Sequence, residues 1–213
     1  MWASSALAPG PGGAAYTDGM SSAAVTPRAA LERPTRYHPV AVALHWVLGL
    51  ALVAIFLLGL YMSDLPFSPQ RLQYYSWHKW AGVVVLALSF VRLLWRLTHR
   101  PPALPLAVEA AMPAWQRVAH HATHLGLYAL FFAVPLLGWT FSSAAGFPVV
   151  VFGVLPLPDL VPVNEGLADV LKELHKLAAY AMAALVGLHV AGALKHQFID
   201  RDGLLSRMAF GRP

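Results

Sequence analysis

YHPVAVALHWVLGLALVAIFLLGLYMS, residues 37–63, carries no Asp, Glu, Lys or Arg. About 20 mainly apolar residues in a helix cross the hydrocarbon core of a bilayer, so this stretch predicts a membrane span over residues 40–61. One histidine, His45, lies inside it. Working outward, a second span over residues 74–97 lets Lys79 and Arg92 snorkel to opposite interfaces. A third starts after Arg117 and runs to about Phe141, with Pro135 as a kink. The fourth covers residues 177–194, or begins a turn earlier. No span alternates strictly, and a barrel needs at least about eight strands. The expected fold class is an all-α membrane protein, a four-transmembrane-helix bundle.

Composition agrees. Of 213 residues, 58% are hydrophobic and 12% charged, against roughly 25% charged in a soluble domain. Mean hydropathy is +0.57. So few charges cannot cover a water-facing surface, and membrane lipid is the expected surrounding. Cysteine is absent, which excludes disulfides, thiolate zinc sites and cysteine-ligated iron–sulfur clusters. Histidine, with ten copies, outnumbers Met and Trp, so the chemistry is expected there.

Orientation follows from Lys and Arg. With four spans, one side holds Arg28, Arg33, Arg36, Arg92, Arg96, Arg100, Arg117, Lys195, Arg201, Arg207 and Arg212. The other holds Arg71, Lys79, Lys172 and Lys176. Eleven against four places both termini in the cytoplasm. These cations flank apolar spans, so topology accounts for them and no nucleic-acid partner is expected. Residues 1–35, rich in Ala, Gly, Pro and Ser, lack the apolar stretch of a signal peptide. They are expected to form a disordered tail, with Met20 an alternative start. Residues 36–208 form the expected membrane domain and 209–213 a short tail. Residues 101–113 read as a Pro-rich connector, and 142–171 as a lid over the far end of the bundle.

Four histidines lie in or at the mouth of a span: His45, His78, His175 and His189. His175 and His189 are 14 residues apart. At about 100° and 1.5 Å per residue they share one helix face at two depths, about 21 Å apart. His45 matches the depth of His189, and His78 that of His175. Haem iron takes axial nitrogen ligands on both faces, and bundle cores commonly hold such cofactors. Depth matching therefore predicts two bis-histidine haem sites, His45/His189 and His78/His175. Gly49, Gly82, Ala179 and Ala193, one turn beyond each histidine, leave clearance for a flat macrocycle. A single membrane histidine could instead bond a neighbouring helix, and GxxxG-like small residues could serve only packing. A zinc or copper transporter is the chemical rival, but the spans lack the carboxylates such a path needs.

Weaker candidates surround these four. His121 and His124 share a face at the cytoplasmic start of the third span, where a propionate or quinone contact is possible. His196 continues the His175–His189 face by one heptad and is a candidate quinone ligand. Arg92 and Arg96 suit haem propionates or lipid headgroups. Arg71, Lys79, Lys172 and Lys176 are the cations available to steer an anion on the opposite side, where Asp64, Asp159, Glu165, Asp169 and Glu173 outnumber them.

Arg36-Tyr37-His38 leading into Leu44-His45-Trp46, then His78-Lys79-Trp80-Ala81-Gly82, resembles the bacterial cytochrome b561 family. So do His124 through Tyr128, a Pro135-Leu136-Leu137-Gly138 turn, Leu174-His175-Lys176, and Leu188-His189 with His196 behind. The likeness runs from about Arg36 to Met208. It implies an inner-membrane bundle holding two b-type haems, with His45, His78, His175 and His189 as ligands. It also implies electron exchange with ubiquinone, and points to superoxide oxidised on the periplasmic side. The expected function is that of a superoxide:quinone oxidoreductase. The alternative is a cytochrome b subunit anchoring a hydrogenase or dehydrogenase, fed by a redox protein.

Overall fold

The computed structural model describes residues 36–209. The expectations for residues 1–35, including Met20, and for residues 210–213 lie outside that range. Five helices follow in order: α1 (Pro39–Ser63), α2 (Pro69–Thr98), the short α3 (Leu106–Ala111), α4 (Ala114–Ala144) and α5 (Glu165–Lys195). Two two-residue strands, β1 (Val150–Val151) and β2 (Leu155–Pro156), pair antiparallel between α4 and α5. Among the described residues four helices, all but α3, are long and apolar enough to cross a membrane.

Local chemistry sets the helix starts. Pro39 and Pro69 sit in the first helical turn, where a missing N–H costs nothing. Ahead of them, His38 Nδ1 accepts from Val40 N, and Ser68 Oγ from Arg71 N. Asn164 Oδ1 accepts from Leu167 N at 2.9 Å and starts α5. That start lies three turns before the expected one. The early turns of α5 are amphipathic: Ala168 and Leu171 are buried, while Asp169, Lys172, Glu173 and Lys176 face outward. Charge marks the edge of a hydrophobic run, not the end of a helix, and α2 begins earlier than expected for the same reason.

Two further expectations change. Residues 135–138 are not a turn but part of α4, which continues through Pro135. The lid is shorter than 142–171, because both of its ends are helical; it spans residues 145–164. The connector over 101–113 contains α3.

Close backbone packing joins α1 to α2, α2 to α4 and α4 to α5. The ring closes between α5 and α1 through side chains, with Phe56 5.7 Å from Tyr180 and His45 5.9 Å from His189. Leu48, Leu52, Val85, Leu127, Val134 and Met182 form the central core. Ala144, Ala168 and Leu171 form a second cluster toward the lid. In lipid this close packing, rather than escape from water, holds helices together. At the end where α1 starts and α5 finishes, the segment after α5 returns across the bundle. Trp46 Nε1 donates to Met208 O at 2.8 Å, and buried Arg207 donates to the carbonyls of Pro102 and Ala103.

Candidate functional site

The bundle brings four imidazoles together as two pairs. His45 of α1 meets His189 of α5 with ring centroids 5.9 Å apart, at 68°. His78 of α2 meets His175 of α5 at 6.1 Å and 85°. All four are partly buried. Two metal–imidazole bonds of about 2.0–2.1 Å, plus half of each ring, separate centroids by roughly 6 Å. The spacing of both pairs therefore fits an iron held between them.

The surroundings of each ring test that fit further. His175 Nδ1 lies 2.9 Å from Val134 O. A carbonyl only accepts, so Nδ1 carries the hydrogen and Nε2 keeps its lone pair, the form that binds a metal. Gly138, one turn beyond Val134 on α4, makes this approach possible: a Cβ there would stand 2.9 Å from His175 Cε1. Gly59 of α1 does the same for His78, where a Cβ would stand 3.1 Å from Cε1. His78 Nδ1 is buried and faces the backbone of Ile55, one turn before Gly59, without closing a hydrogen bond of normal geometry. Neither glycine was singled out for this from the sequence. Gly138 lay within a motif read as a turn, and only the third dimension sets it against α5. Gly49 has nothing within 4 Å of an added Cβ, and Gly82 only Ile55 Cδ1 at 3.8 Å.

The lid covers the His78–His175 end. Trp80 Nε1 donates to Val150 O at 2.6 Å, and Trp139 Nε1 to Pro158 O at 3.2 Å. Ser142 Oγ donates to Phe147 O. Lys79 Nζ donates to Phe147 O and Pro148 O at 3.4 and 3.2 Å, so this steering candidate is tied beneath the lid. The three-residue hairpin loop, residues 152–154, turns through Phe152 and Gly153, both at positive φ. Of the other cations, Arg71 donates to Tyr75 Oη at 3.2 Å, exposed Lys176 lies 3.9 Å from Glu173, and Lys172 is exposed.

The His45–His189 end is lined by side chains instead. Arg92 Nη2 donates to His45 Nδ1 at 3.2 Å and Nε to Tyr128 Oη at 3.4 Å; its Nη1 is buried without a partner. Arg96 lies over the Tyr128 ring at 5.6 Å. His124 packs against His189 at 5.1 Å and donates from Nδ1 to His120 O. His121 is exposed and lines an open groove of about 540 Å³ on α4 together with Arg117, Val118 and Leu125. His196 does not simply prolong the α5 face, because the chain winds on as a π-helical turn, His196–Asp200. Its Nδ1 lies 2.5 Å from Asp202 Oδ2 and 3.2 Å from Asp200 Oδ2, and Gln116 Nε2 lies 3.2 Å from its Nε2.

A four-helix membrane bundle with paired imidazoles in its interior has the architecture of a membrane cytochrome b. The prokaryotic cytochrome b561 family matches residues 36–211, and the chain belongs to it. Members are haem b proteins that carry electrons in bacterial membranes. The chain is 35% identical to cytochrome b561 homolog 2 of Escherichia coli (strain K12), over 82% of its own length and 92% of that protein's. It is 30% identical to the probable superoxide oxidase CybB of Yersinia pestis, over 81% and 95%. Cytochrome b561 homolog 1 of Escherichia coli (strain K12) shares 28% over 81% and 96%. The chain is thus a multi-pass bacterial membrane cytochrome, and it serves electron transfer with a redox partner.

Proposed function

We propose that His45 with His189 and His78 with His175 each hold one haem b, and that the protein carries electrons from superoxide on the lid face to ubiquinone on the face bearing both termini. The observation that carries this reading is the pair of ring–ring distances, 5.9 and 6.1 Å, at two levels of one bundle. Haem b bound between two imidazoles supplies an iron that exchanges one electron at a time. The remaining work falls to the chain. Val134 O fixes the His175 tautomer, and the glycines at 59 and 138 set ring positions. His45 would hold a haem through Nε2 with its hydrogen on Nδ1, and the Arg92 guanidinium, which stands 3.2 Å from Nδ1, would then be free to neutralise a propionate. Arg96 stands beside it as the second propionate candidate.

Both termini lie in the cytoplasm on this reading, in keeping with eleven cations against four. The lid face then looks into the periplasm. Superoxide needs no nucleophile or base there, only a short approach and local positive charge. Lys172, three residues before His175, and Lys176 supply exposed cations on that face, and Arg71 and Lys79 add charge there. Five carboxylates on that face keep the attraction local. Support for the donor comes from the relative named as a probable superoxide oxidase.

Rapid mixing of the purified, haem-loaded protein with superoxide tests the reading. The b-type bands should reduce within the mixing experiment and reoxidise on adding ubiquinone. Reduction no faster than in the uncatalysed control would reject superoxide and favour an electron-donating protein partner, as in a hydrogenase or dehydrogenase anchor subunit.

A further inference from the structure

The lid hairpin ends in an exposed apolar tip. Residues 147–157 hold no Asp, Glu, Lys, Arg or His. Val149 and Val151 are buried and root the hairpin in the protein. Beyond them Phe152, Val154 and Leu155 are exposed, Val154 by 80%. Phe152 keeps its ring exposed at a φ of 52°, a costly conformation for a bulky residue. The backbone of the tip is satisfied within the hairpin. Gly153 N donates to Val150 O at 3.2 Å, Val154 N to Val151 O at 3.1 Å, and Leu157 N to Val149 O at 2.9 Å. Backbone groups that meet lipid need internal partners of this kind.

The place where the hairpin is attached decides what meets its tip. β1 packs against α2, Trp80 Nε1 donates to Val150 O, and the Trp80 ring lies 5.5 Å from Phe152. Trp80 stands one residue inside Lys79 and opens a run of twelve residues without a charge. Trp77, Trp80, Val84, Ala87, Val91 and Leu94 recur at helical spacing along one stripe of α2. All but half-buried Trp80 are exposed. An exposed apolar stripe on a membrane-spanning helix faces acyl chains, and the hairpin is fixed where that stripe begins. Tyr61, Tyr74 and Trp77 form an edge-to-face chain at the same level, the kind of aromatic belt that marks a bilayer interface. The exposed charges Asp169, Lys172, Glu173 and Lys176 stand on α5 instead, so the apolar and water-facing surfaces of this end belong to different elements.

We propose that the hairpin tip, residues 152–155, is a lipid anchor that lies in the bilayer leaflet on the lid side, between headgroups and acyl chains. Its partner is phospholipid of the membrane the bundle spans, because the tip continues a surface that lipid already covers. The lid is then held from two sides. Trp80, Lys79 and Trp139 tie it to the bundle, and its tip ties it to the bilayer.

The chain has no cysteine, so one introduced thiol reports one position. Haem-loaded Val154→Cys is placed in nanodiscs of phosphatidylethanolamine and phosphatidylglycerol, open on both faces, and treated with a charged, water-soluble maleimide. Asp169→Cys, exposed on α5 at the same end, is the water-facing reference. A thiol in apolar surroundings resists ionisation, so Val154→Cys should label at least about tenfold more slowly than Asp169→Cys. Unfolding in dodecyl sulfate should remove the difference. In a second arm the wild-type chain sits in discs that include a phospholipid with a photoactivatable diazirine on its acyl chain. Mass spectrometry should find lipid adducts on residues 152–155 as on the α2 stripe. Labelling of Val154→Cys at the Asp169→Cys rate would overturn the proposal, because the tip then lies in water. Adducts on the α2 stripe with none on the hairpin would overturn it as well, because protein, such as a second copy, then covers the tip. The wild-type arm decides alone if a cysteine variant does not accumulate with its haem.

Discussion

The two histidine pairs share a helix and a spacing, yet they are held by different parts of the protein. At the lid end the rings rest on backbone. His175 bonds a carbonyl of α4, and glycines at 138 and 59 set the contact surfaces. At the other end the neighbours are side chains that carry or exchange protons: Arg92, His124 and, further out, the His196–Asp202 couple. Backbone contacts tolerate little displacement, whereas side chains can rearrange as charge changes. On the proposed function the lid-covered end would pass electrons only, and the other end would also meet protons.

The largest test of that contrast removes a ring. His175→Ala should halve the haem content, measured as haem per protein and in the reduced-minus-oxidised spectrum, while the His45–His189 level stays loaded. Loss of both haems would mean that the two levels are not independent sites.

Next in size is the backbone seat. In Gly138→Ala the added Cβ meets the His175 ring at 2.9 Å, and either the ring or the two helices must shift; overpacking of this kind costs about 1–3 kcal/mol. Thermal unfolding in detergent should show that loss, together with weakened haem retention at the lid end. Gly187→Ala, with nothing within 4 Å of the new methyl, should leave both unchanged. Equal behaviour of the two variants would remove the seating role of Gly138.

How far each feature could be read in advance follows the same divide. Spans and imidazole depths depend on hydropathy and on the helical period, which are local properties of the chain. His45, His78, His175 and His189 could therefore be selected and paired without coordinates. The seats could not: nothing near Gly138 in sequence mentions His175, 37 residues away. The fold of Asp202 onto His196 was equally hidden, because a left-handed Arg201 has no compositional mark. The long amphipathic start of α5 had a signal in Asn164, a strong N-cap residue, but the charges that follow it looked like the end of a span.

Arg92 probes the side-chain end. Replacing it with Gln removes a partly buried positive charge beside His45, and a positive charge near a haem favours its reduced form. The potential of one haem should fall by the equivalent of about 1–2 kcal/mol at an effective dielectric near 20. Redox titration should show the other haem unmoved. A shift of both, or of neither, would separate Arg92 from the His45–His189 level.

The smallest expected effect lies in the lid. Trp80→Phe keeps an aromatic ring beside Phe152, which lies 5.5 Å from the Trp80 ring, but deletes the hydrogen bond to Val150 O. A single such bond contributes about 0.5–1.5 kcal/mol, too little to unfold a bundle whose core is elsewhere. Lys79, Trp139 and Ser142 still hold the loop. Amide exchange should therefore quicken across residues 147–157 and stay unchanged in α1 and α5. Haem content should stay at the wild-type value, because the seats of His78 and His175 belong to α1 and α4 and not to the lid. If haem is lost along with lid protection, the covered pair depends on its cover, and the contrast between a backbone-held end and a side-chain-held end no longer stands.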